Sequence, residues 1–306
     1  MLRFIIRRLV ITIPMVLIVV TLTWGLVRLA PGNFYTSEKQ LPPTVEKNIR
    51  EKYGLDRPLI VQYGKMLGNI LRGDFGNSLK YQDQTVNGIL ARSLPVSVTL
   101  GVLAYLLALC VGVFIGSLAA LKPNSRLDYV SMAVAMLGIS LPNFVLGPLL
   151  VLVFSLTLYW LPPARWNGFP SWNLVLPVLT LSAIYMAYIA RLARSGMLEV
   201  LRSDYIRTAR AKGLKERVVV VRHAMRGGLL PVVSYTGPAL AFLITGTVVV
   251  ERIFALPGLG NYFINANLNR DEPLIIGIVA FLSIAILLFN LLVDIAYAFI
   301  DPRIRY

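Results

Sequence analysis

Residues 93–121 read SLPVSVTLGVLAYLLALCVGVFIGSLAAL, with no charge between Arg92 and Lys122. A helix rises about 1.5 Å per residue, so about 20 apolar residues cross the hydrocarbon core of a bilayer. The stretch meets that length with room to spare. Five further uncharged stretches flank it: Leu9 to Val27, Tyr129 to Ala164, Trp166 to Ala190, Gly227 to Val250 and Pro273 to Val293. The stretch from Tyr129 is too long for one crossing. Trp160, Leu161, Pro162 and Pro163 mark its exit, an interfacial aromatic followed by helix-stopping prolines, which trims that span to about residues 130–158. The reading is an all-α integral membrane protein with six transmembrane helices.

Composition agrees. Hydrophobic residues make up 57% and charged residues 15% of the chain, against about 45–50% and about 25% in soluble domains. Arg3, Arg7 and Arg8 precede the first apolar run. That run is longer than a signal-peptide core and no small-x-small cleavage site follows it, so it is read as a first transmembrane helix. Cys110 lies alone in the second span, where it serves as a small packing residue, and His223 is the only histidine. An intrachain disulfide and a histidine metal cluster are therefore excluded, and a Ser-His triad is not expected, since no span pairs a nucleophile with a plausible base and the one histidine lies in a loop.

Basic residues set the expected orientation. Arg3, Arg7 and Arg8, Lys122 and Arg126, the ten lysines and arginines from Arg191 to Arg226, and Arg303 and Arg305 all fall on one side of a six-span topology. That side is read as cytoplasmic, with both termini on it; a bacterial inner membrane is what the family resemblance described below implies. The net charge of +15 is spread over loops beside spans, so it reflects topology and lipid headgroups, with no basic domain for nucleic acid.

Three regions follow: 1–30, the cytoplasmic N-terminus and first span; 31–92, an extracytoplasmic loop; and 93–306, five spans with a cytoplasmic loop at 191–226. The extracytoplasmic loop carries two helix patterns. Thr44 to Tyr53 has Thr44 as cap, Val45, Ile49 and Tyr53 at fourfold spacing, and Gly54 after it. Pro58 to Leu71 places Ile60, Tyr63, Leu67 and Ile70 or Leu71 on one side, with Gly73 following. A surface cap and a cover over the bundle are both open readings.

In the loop 191–226, Ser203 and Asp204 open a helix of about ten residues, Asp204 to Lys212, which Gly213 closes in a left-handed cap. Tyr205, Ile206 and Ala209 form an apolar ridge, with Arg207, Arg210 and Lys212 pointing elsewhere. Two turns of helix are not stable alone in water, so this one docks on its own bundle or on another protein.

The run Asp204-Tyr-Ile-Arg-Thr-Ala-Arg-Ala-Lys-Gly213-Leu214, then Arg222-His223-Ala224 and Leu229-Leu230-Pro231, resembles the "EAA" loop of bacterial ABC importer permeases in its peptide-permease form. Arg207-Thr208-Ala209 stands where the general pattern has Glu-Ala-Ala, as in the peptide branch. Arg28-Leu-Ala-Pro-Gly32, Gly54-Leu-Asp-Arg-Pro58, Arg72-Gly-Asp-Phe-Gly-Asn-Ser78, Ser140-Leu-Pro-Asn-Phe144, Trp160-Leu-Pro-Pro163 and Glu251-Arg-Ile-Phe-Ala-Leu-Pro-Gly-Leu-Gly260 resemble the same peptide and nickel permease family. The resemblance implies a type I ABC importer permease fold. It also implies a second homologous permease, two ATP-binding subunits and an extracytoplasmic binding protein for oligopeptides as partners. Related permeases carry dipeptides, glutathione or nickel complexes. On the same resemblance, Asp204, Tyr205, Arg207, Thr208, Ala209, Arg210, Ala211 and Gly213 form the helix that couples to the ATPase.

No Gly-x-x-x-x-Gly-Lys-Ser/Thr phosphate loop occurs in the sequence, so ATP and Mg are expected in partner subunits, with no cofactor and no catalytic residue in this chain. A gradient-driven carrier would bury ionisable groups at midmembrane. Only Asp294 interrupts the apolar blocks near a span's interior, and it reads as an interfacial or packing residue. The fifth span is rich in Gly237, Pro238, Ala239, Ala241 and Gly246, which permit close packing or bending. The resemblance places it beside the pore, making Thr245 and Thr247 candidates to line or gate it, with ordinary interhelical packing the other reading. Glu251, Pro257 and Gly258 complete an outer-gate candidate, where Glu251 meets a peptide amino group or pairs with an arginine.

Overall fold

The computed structural model describes residues 2–30, 56–81 and 83–300, with side chains placed for all but 2–9, 241, 244–246 and 292–300. Helices are the regular elements of the described residues, which otherwise hold turns, loops and one isolated bridge between Asn77 and Thr85. The long helices are α1 (Leu2–Leu29), α3 (Val86–Leu121), α6 (Val175–Leu201), α10 (Leu230–Ile253) and α12 (Glu272–Ile300). Shorter ones are α2 (Leu59–Leu71), α4 (Arg126–Ser140), α5 (Asn143–Leu150), α7 (Asp204–Ala211), α8 (Glu216–Val218), α9 (Met225–Gly228) and α11 (Leu259–Leu268). The expected helix at Thr44 to Tyr53 lies outside the described residues, as does the side chain of Asp294.

Four helical segments among the described residues are long and apolar enough to cross a membrane, Val10–Leu29, Val86–Leu121, Trp172–Leu201 and Glu272–Leu291. The expected span at residues 130–158 is not one helix. Arg126–Ser140 and Asn143–Thr157 meet at 107°, a broken span or a re-entrant loop. The cause is local: Leu141 is extended (φ −95°, ψ 113°) because the ring of Pro142 disfavours a helical residue before it. After α5 the chain widens into a π-helix, Val151–Thr157, and exits through Tyr159 at φ 54°. The helical segment ends at Thr157, just before the Trp160 at which the sequence reading placed the end of the span. The expected fifth span falls on α10, whose 24 residues extend about 36 Å.

The fourth expected span is displaced. Residues 166–171 are not helical, a short 3₁₀ turn covers Trp172–Leu174, and α6 runs past Ala190 to Leu201. Charge does not stop it, because Arg191 lies over the Tyr188 ring at 5.0 Å and Arg194 has a carboxylate partner.

The chain forms two compact units, one from Leu2–Val96 with Gly258–Leu287, the other from Ser97–Pro257 with the chain from Leu288 onward. In the first, Val86, Ile89, Leu90, Leu259, Leu274 and Ile278 make a buried core, and Val20, Ile276 and Ala280 make a second that Met66, Leu67 and Ile70 cover. The inward face of α2 is thus Tyr63, Met66, Leu67 and Ile70. Ile60, expected on that face, is exposed, and of the two alternatives Ile70 and Leu71 it is Ile70 that is covered.

In the second unit α6 is the central helix. Its small residues let other helices reach its backbone. A Cβ on Gly116 of α3 would stand 2.3 Å from the Ala190 carbonyl oxygen, and one on Gly138 of α4 2.6 Å from that of Ala183. Any side chain at either position would push a helix away.

Candidate coupling site

Helix α7 starts after Ser203, which is extended at φ −72°, ψ 155°. The Ser203 hydroxyl does not cap it; it donates to the Val200 carbonyl at 2.6 Å. The start rests on Asp204, whose negative charge suits the helix N-terminus and whose side chain is solvent-exposed. Arg207 reaches Asp204 at 3.2 Å, and the Thr208 hydroxyl donates to the Asp204 carbonyl at 2.9 Å. The end is as read from the sequence. Gly213 sits at φ 76°, its N–H donates to Arg210 O at 2.9 Å, and Leu214 N–H donates to Ala209 O at 3.4 Å. These two bonds make a Schellman cap.

The helix docks on its own chain. Ile206 and Ala209 are buried with Ala120 of α3, Met197 of α6, and Val219 and Ala224 of the following segment. Tyr205, expected on the same ridge, is half exposed. It stands in the first turn with its phenol oxygen close over Gly227, so the side chain reaches back across the surface of its own chain. Arg207, Thr208, Arg210, Ala211, Lys212 and Gly213 are exposed. The result is a short helix with an anchored underside and an unburied outer face.

Arg210 ties the end of α7 to the start of α8, its Nη2 and Nε donating to Glu216 at 2.7 and 3.1 Å. The guanidinium holds the Glu216 carboxyl below its usual range, and the carboxylate raises the Arg210 guanidinium in turn. From Val219 to Ala224 the chain is π-helical, an irregularity that leaves Val219 and Ala224 facing α7.

Two features were missed by the sequence reading, one fastening this segment to α6 and the other joining α6 to α4. A Cβ on Gly196 of α6 would lie 2.2 Å from the Gly228 carbonyl oxygen, so α6 and α9 touch backbone to backbone. Arg194 donates from Nε and Nη2 to the two carboxylate oxygens of Asp128, both at 2.6 Å, and Asp128 is nearly fully buried. Asp128 also takes the Asn124 N–H, at 3.0 Å. The SRLD sequence at 125–128 signals a helix start, yet nothing in it names Arg194, 66 positions on.

Of the pore candidates, Thr247 and Glu251 are buried one turn apart on α10. Glu251 accepts the Ser97 hydroxyl of α3 at 2.6 Å. Leu256 N–H donates to the Glu251 carbonyl at 2.9 Å. Pro257 is exposed, and Gly258 is a buried, extended residue (φ −92°) before α11. The side chain of Thr245 lies outside the described set. Thr247 stands about 26 Å along the helix from its start at Leu230, so α10 separates the pore candidates from the α7 segment.

The family model described as "Binding-protein-dependent transport system inner membrane component" matches residues 112–306, and its N-terminal counterpart matches residues 1–101. The chain belongs to this family. It is similar to the oligopeptide transport system permease protein OppB of Haemophilus influenzae, at 48% identity with all of both chains covered. OppB of Salmonella typhimurium is 49% identical with the same coverage. The dipeptide transport system permease protein DppB of Bacillus subtilis is 43% identical over 100% of this chain and 98% of that one. Among solved structures, a chain of the MetNI methionine ABC transporter in an inward-facing conformation aligns with TM-score 0.60 at 15% identity, over 70% of this chain and 96% of that chain. That likeness identifies the fold as that of type I ABC importer permeases. The permease is a multi-pass protein of the inner membrane.

Proposed function

We propose that this permease is one transmembrane half of an ATP-driven importer of oligopeptides. The observation that carries the proposal is α7: a capped two-turn helix, anchored through Ile206 and Ala209, that presents Tyr205, Thr208 and Ala211 outward. Its outer face suits a groove on an ATP-binding subunit. Asp204 and Arg207 set the charge at the rim, Arg210 braces the helix through Glu216, and Gly213 ends it.

In this reading a second homologous permease completes the translocation path. Two ATP-binding subunits hold ATP and Mg, and an extracytoplasmic binding protein delivers peptide. Both termini and the segment 191–226 lie in the cytoplasm, residues 31–92 lie outside it, and 93–306 carries the remaining spans. Thr245, Thr247, Glu251, Pro257 and Gly258 are assigned to the pore and outer gate. The full-length kinship with OppB proteins supports an oligopeptide substrate; the 43% identity to a dipeptide permease keeps dipeptides as the second reading.

The test is uptake of labelled peptides into liposomes holding the assembled transporter. Accumulation that requires ATP inside and the binding protein outside is expected, with peptides longer than two residues preferred. Uptake by this chain alone on an ion gradient would overturn the proposal. Replacing Ala211 on the outer face with Trp is expected to abolish uptake while the chain stays in the membrane.

A further inference from the structure

Within the unit of Leu2–Val96 and Gly258–Leu287, a cavity of about 350 Å³ opens between α1, α2 and the first turns of α12. Its walls are mixed. Trp24, Met66, Ile70 and Phe75 supply apolar surface; Arg28, Arg57, Lys65, Asp74 and Glu272 supply charge. Arg28 is engaged, donating to Glu272 at 3.1 Å and to Gln62 at 2.7 Å, with its guanidinium 5.4 Å from the Trp24 ring. Asp74 accepts the Gly76 N–H at 2.9 Å. Arg57 and Lys65 have no ion-pair partner among the described residues.

The cavity's position is informative. Gln62 meets Arg28, and Tyr63 meets Thr21 at 2.6 Å and the Trp24 ring at 5.2 Å, so α2 lies beside the last two turns of α1. That stretch of α1 belongs to a helix long and apolar enough to cross a membrane, few of whose residues are buried. On the side of α1 away from the cavity, Leu22, Leu26 and Leu29 are exposed, as are Leu59 and Ile60 at the start of α2. Arg57 and Lys65 are thus exposed cations in a cavity beside the end of an apolar helix long enough to cross a bilayer. A tryptophan and a tyrosine stand at the same level, as at membrane–water interfaces. A guanidinium and an ammonium in one pocket suit the phosphodiester of a phospholipid head group.

We propose that this cavity binds the head group of one membrane phospholipid, whose phosphodiester is held by Arg57 and Lys65. The phosphate takes a bidentate contact from the guanidinium and a point charge from the ammonium. Glu272 keeps Arg28 as part of the wall. The acyl chains lie on the apolar flank of α1. Asp74 lies in reach of an amino head group, which makes phosphatidylethanolamine a ligand as well as phosphatidylglycerol.

The test is native mass spectrometry of the full chain in detergent. It is titrated separately with phosphatidylglycerol, phosphatidylethanolamine, inorganic phosphate and a short peptide with a free carboxylate. One phospholipid should bind saturably, and the double variant Arg57→Ala, Lys65→Ala should bind it about thirtyfold more weakly. Lys80→Ala removes a cation that is not among the cavity's lining residues and should leave binding unchanged. Unchanged thermal unfolding of the double variant shows that the fold survives; if it does not, Lys65→Gln gives the same comparison. Equal binding by the double variant, an equal loss in Lys80→Ala, or competition by phosphate or the peptide at the same concentration overturns the proposal.

Discussion

Gly213 offers a test in which backbone geometry is isolated from packing. Its φ of 76° lies in the left-handed region, and a Cβ built on it meets nothing within 4 Å. Substitution there adds no clash, so the cost is conformational. An L-residue pays about 1–2 kcal/mol for this conformation, asparagine less, and a β-branched residue more. Two hydrogen bonds depend on it, Gly213 N–H to Arg210 O and Leu214 N–H to Ala209 O. The eight-residue helix has only Ile206 and Ala209 buried beneath it, so it has little reserve against that loss. A shift of about 1–2 kcal/mol multiplies the opening equilibrium about fivefold to thirtyfold. Hydrogen–deuterium exchange over residues 204–214 reads this directly. Exchange is expected to accelerate in the order Gly213→Asn, Gly213→Ala, Gly213→Val, with peptide-stimulated ATP hydrolysis by the assembled transporter falling in the same order. Wild-type exchange in Gly213→Val, or a larger effect in Gly213→Asn than in Gly213→Val, would refute the cap as the source of the helix's order.

Other substitutions probe other contacts. Asp128→Ala leaves Arg194 partly buried without its carboxylate and should cost about 2–4 kcal/mol in thermal unfolding, less than a fully buried pair because Arg194 keeps some exposure; the double variant with Arg194→Met should recover part of it. Gly196→Ala drives a methyl group to 2.2 Å from a carbonyl oxygen and should cost at least about 1–3 kcal/mol, read as a lowered melting temperature of the purified chain. Ile206→Ala should loosen α7 by about 2–4 kcal/mol, whereas Tyr205→Ala should leave unfolding nearly unchanged and still reduce coupled ATP hydrolysis. The Arg210–Glu216 pair works only while Glu216 is ionised. Because its folded-state pKa is lowered, its contribution is complete above the ordinary glutamate range and disappears as pH falls through the lowered value. Both side chains are about half exposed, so the effect stays under about 1 kcal/mol. It should appear as lower protection in residues 210–216 at low pH, after correction for the intrinsic exchange rate, and be absent in Glu216→Gln.

Much of the architecture was legible because span-forming and cap-forming signals are local. The uncharged run at 93–121, the Trp160 exit and the Gly213 cap each depend on neighbours in the chain. The failures have a common origin in contacts distant in sequence. The helix α6 was stopped at Ala190 because a charge usually ends a span, but Tyr188 and Asp128 accommodate Arg191 and Arg194. Residues 130–158 were read as one helix because hydropathy does not register that Pro142 alters the preceding residue. Small residues were noticed on the fifth span, while close backbone approach was found at Gly116, Gly138 and Gly196, around a different helix. The ridge of α7 was right at Ile206 and Ala209 and wrong at Tyr205, whose long side chain reaches past the edge of the buried strip.

Asp271 was not singled out by the sequence at all. Fully buried, it accepts the Leu274 N–H at the start of α12, the Ser78 hydroxyl, and the backbone N–H groups of Leu79 and Lys80 at 3.1 and 3.2 Å. One carboxylate thus serves as the common terminus of a helix and a distant loop. The information at 79 and 80 resides in amide protons, so a mutational scan should find those two positions indifferent to most side chains and closed to proline, which has no N–H to give. The reverse should hold at position 271, where the letter is fixed and even asparagine surrenders one acceptor oxygen.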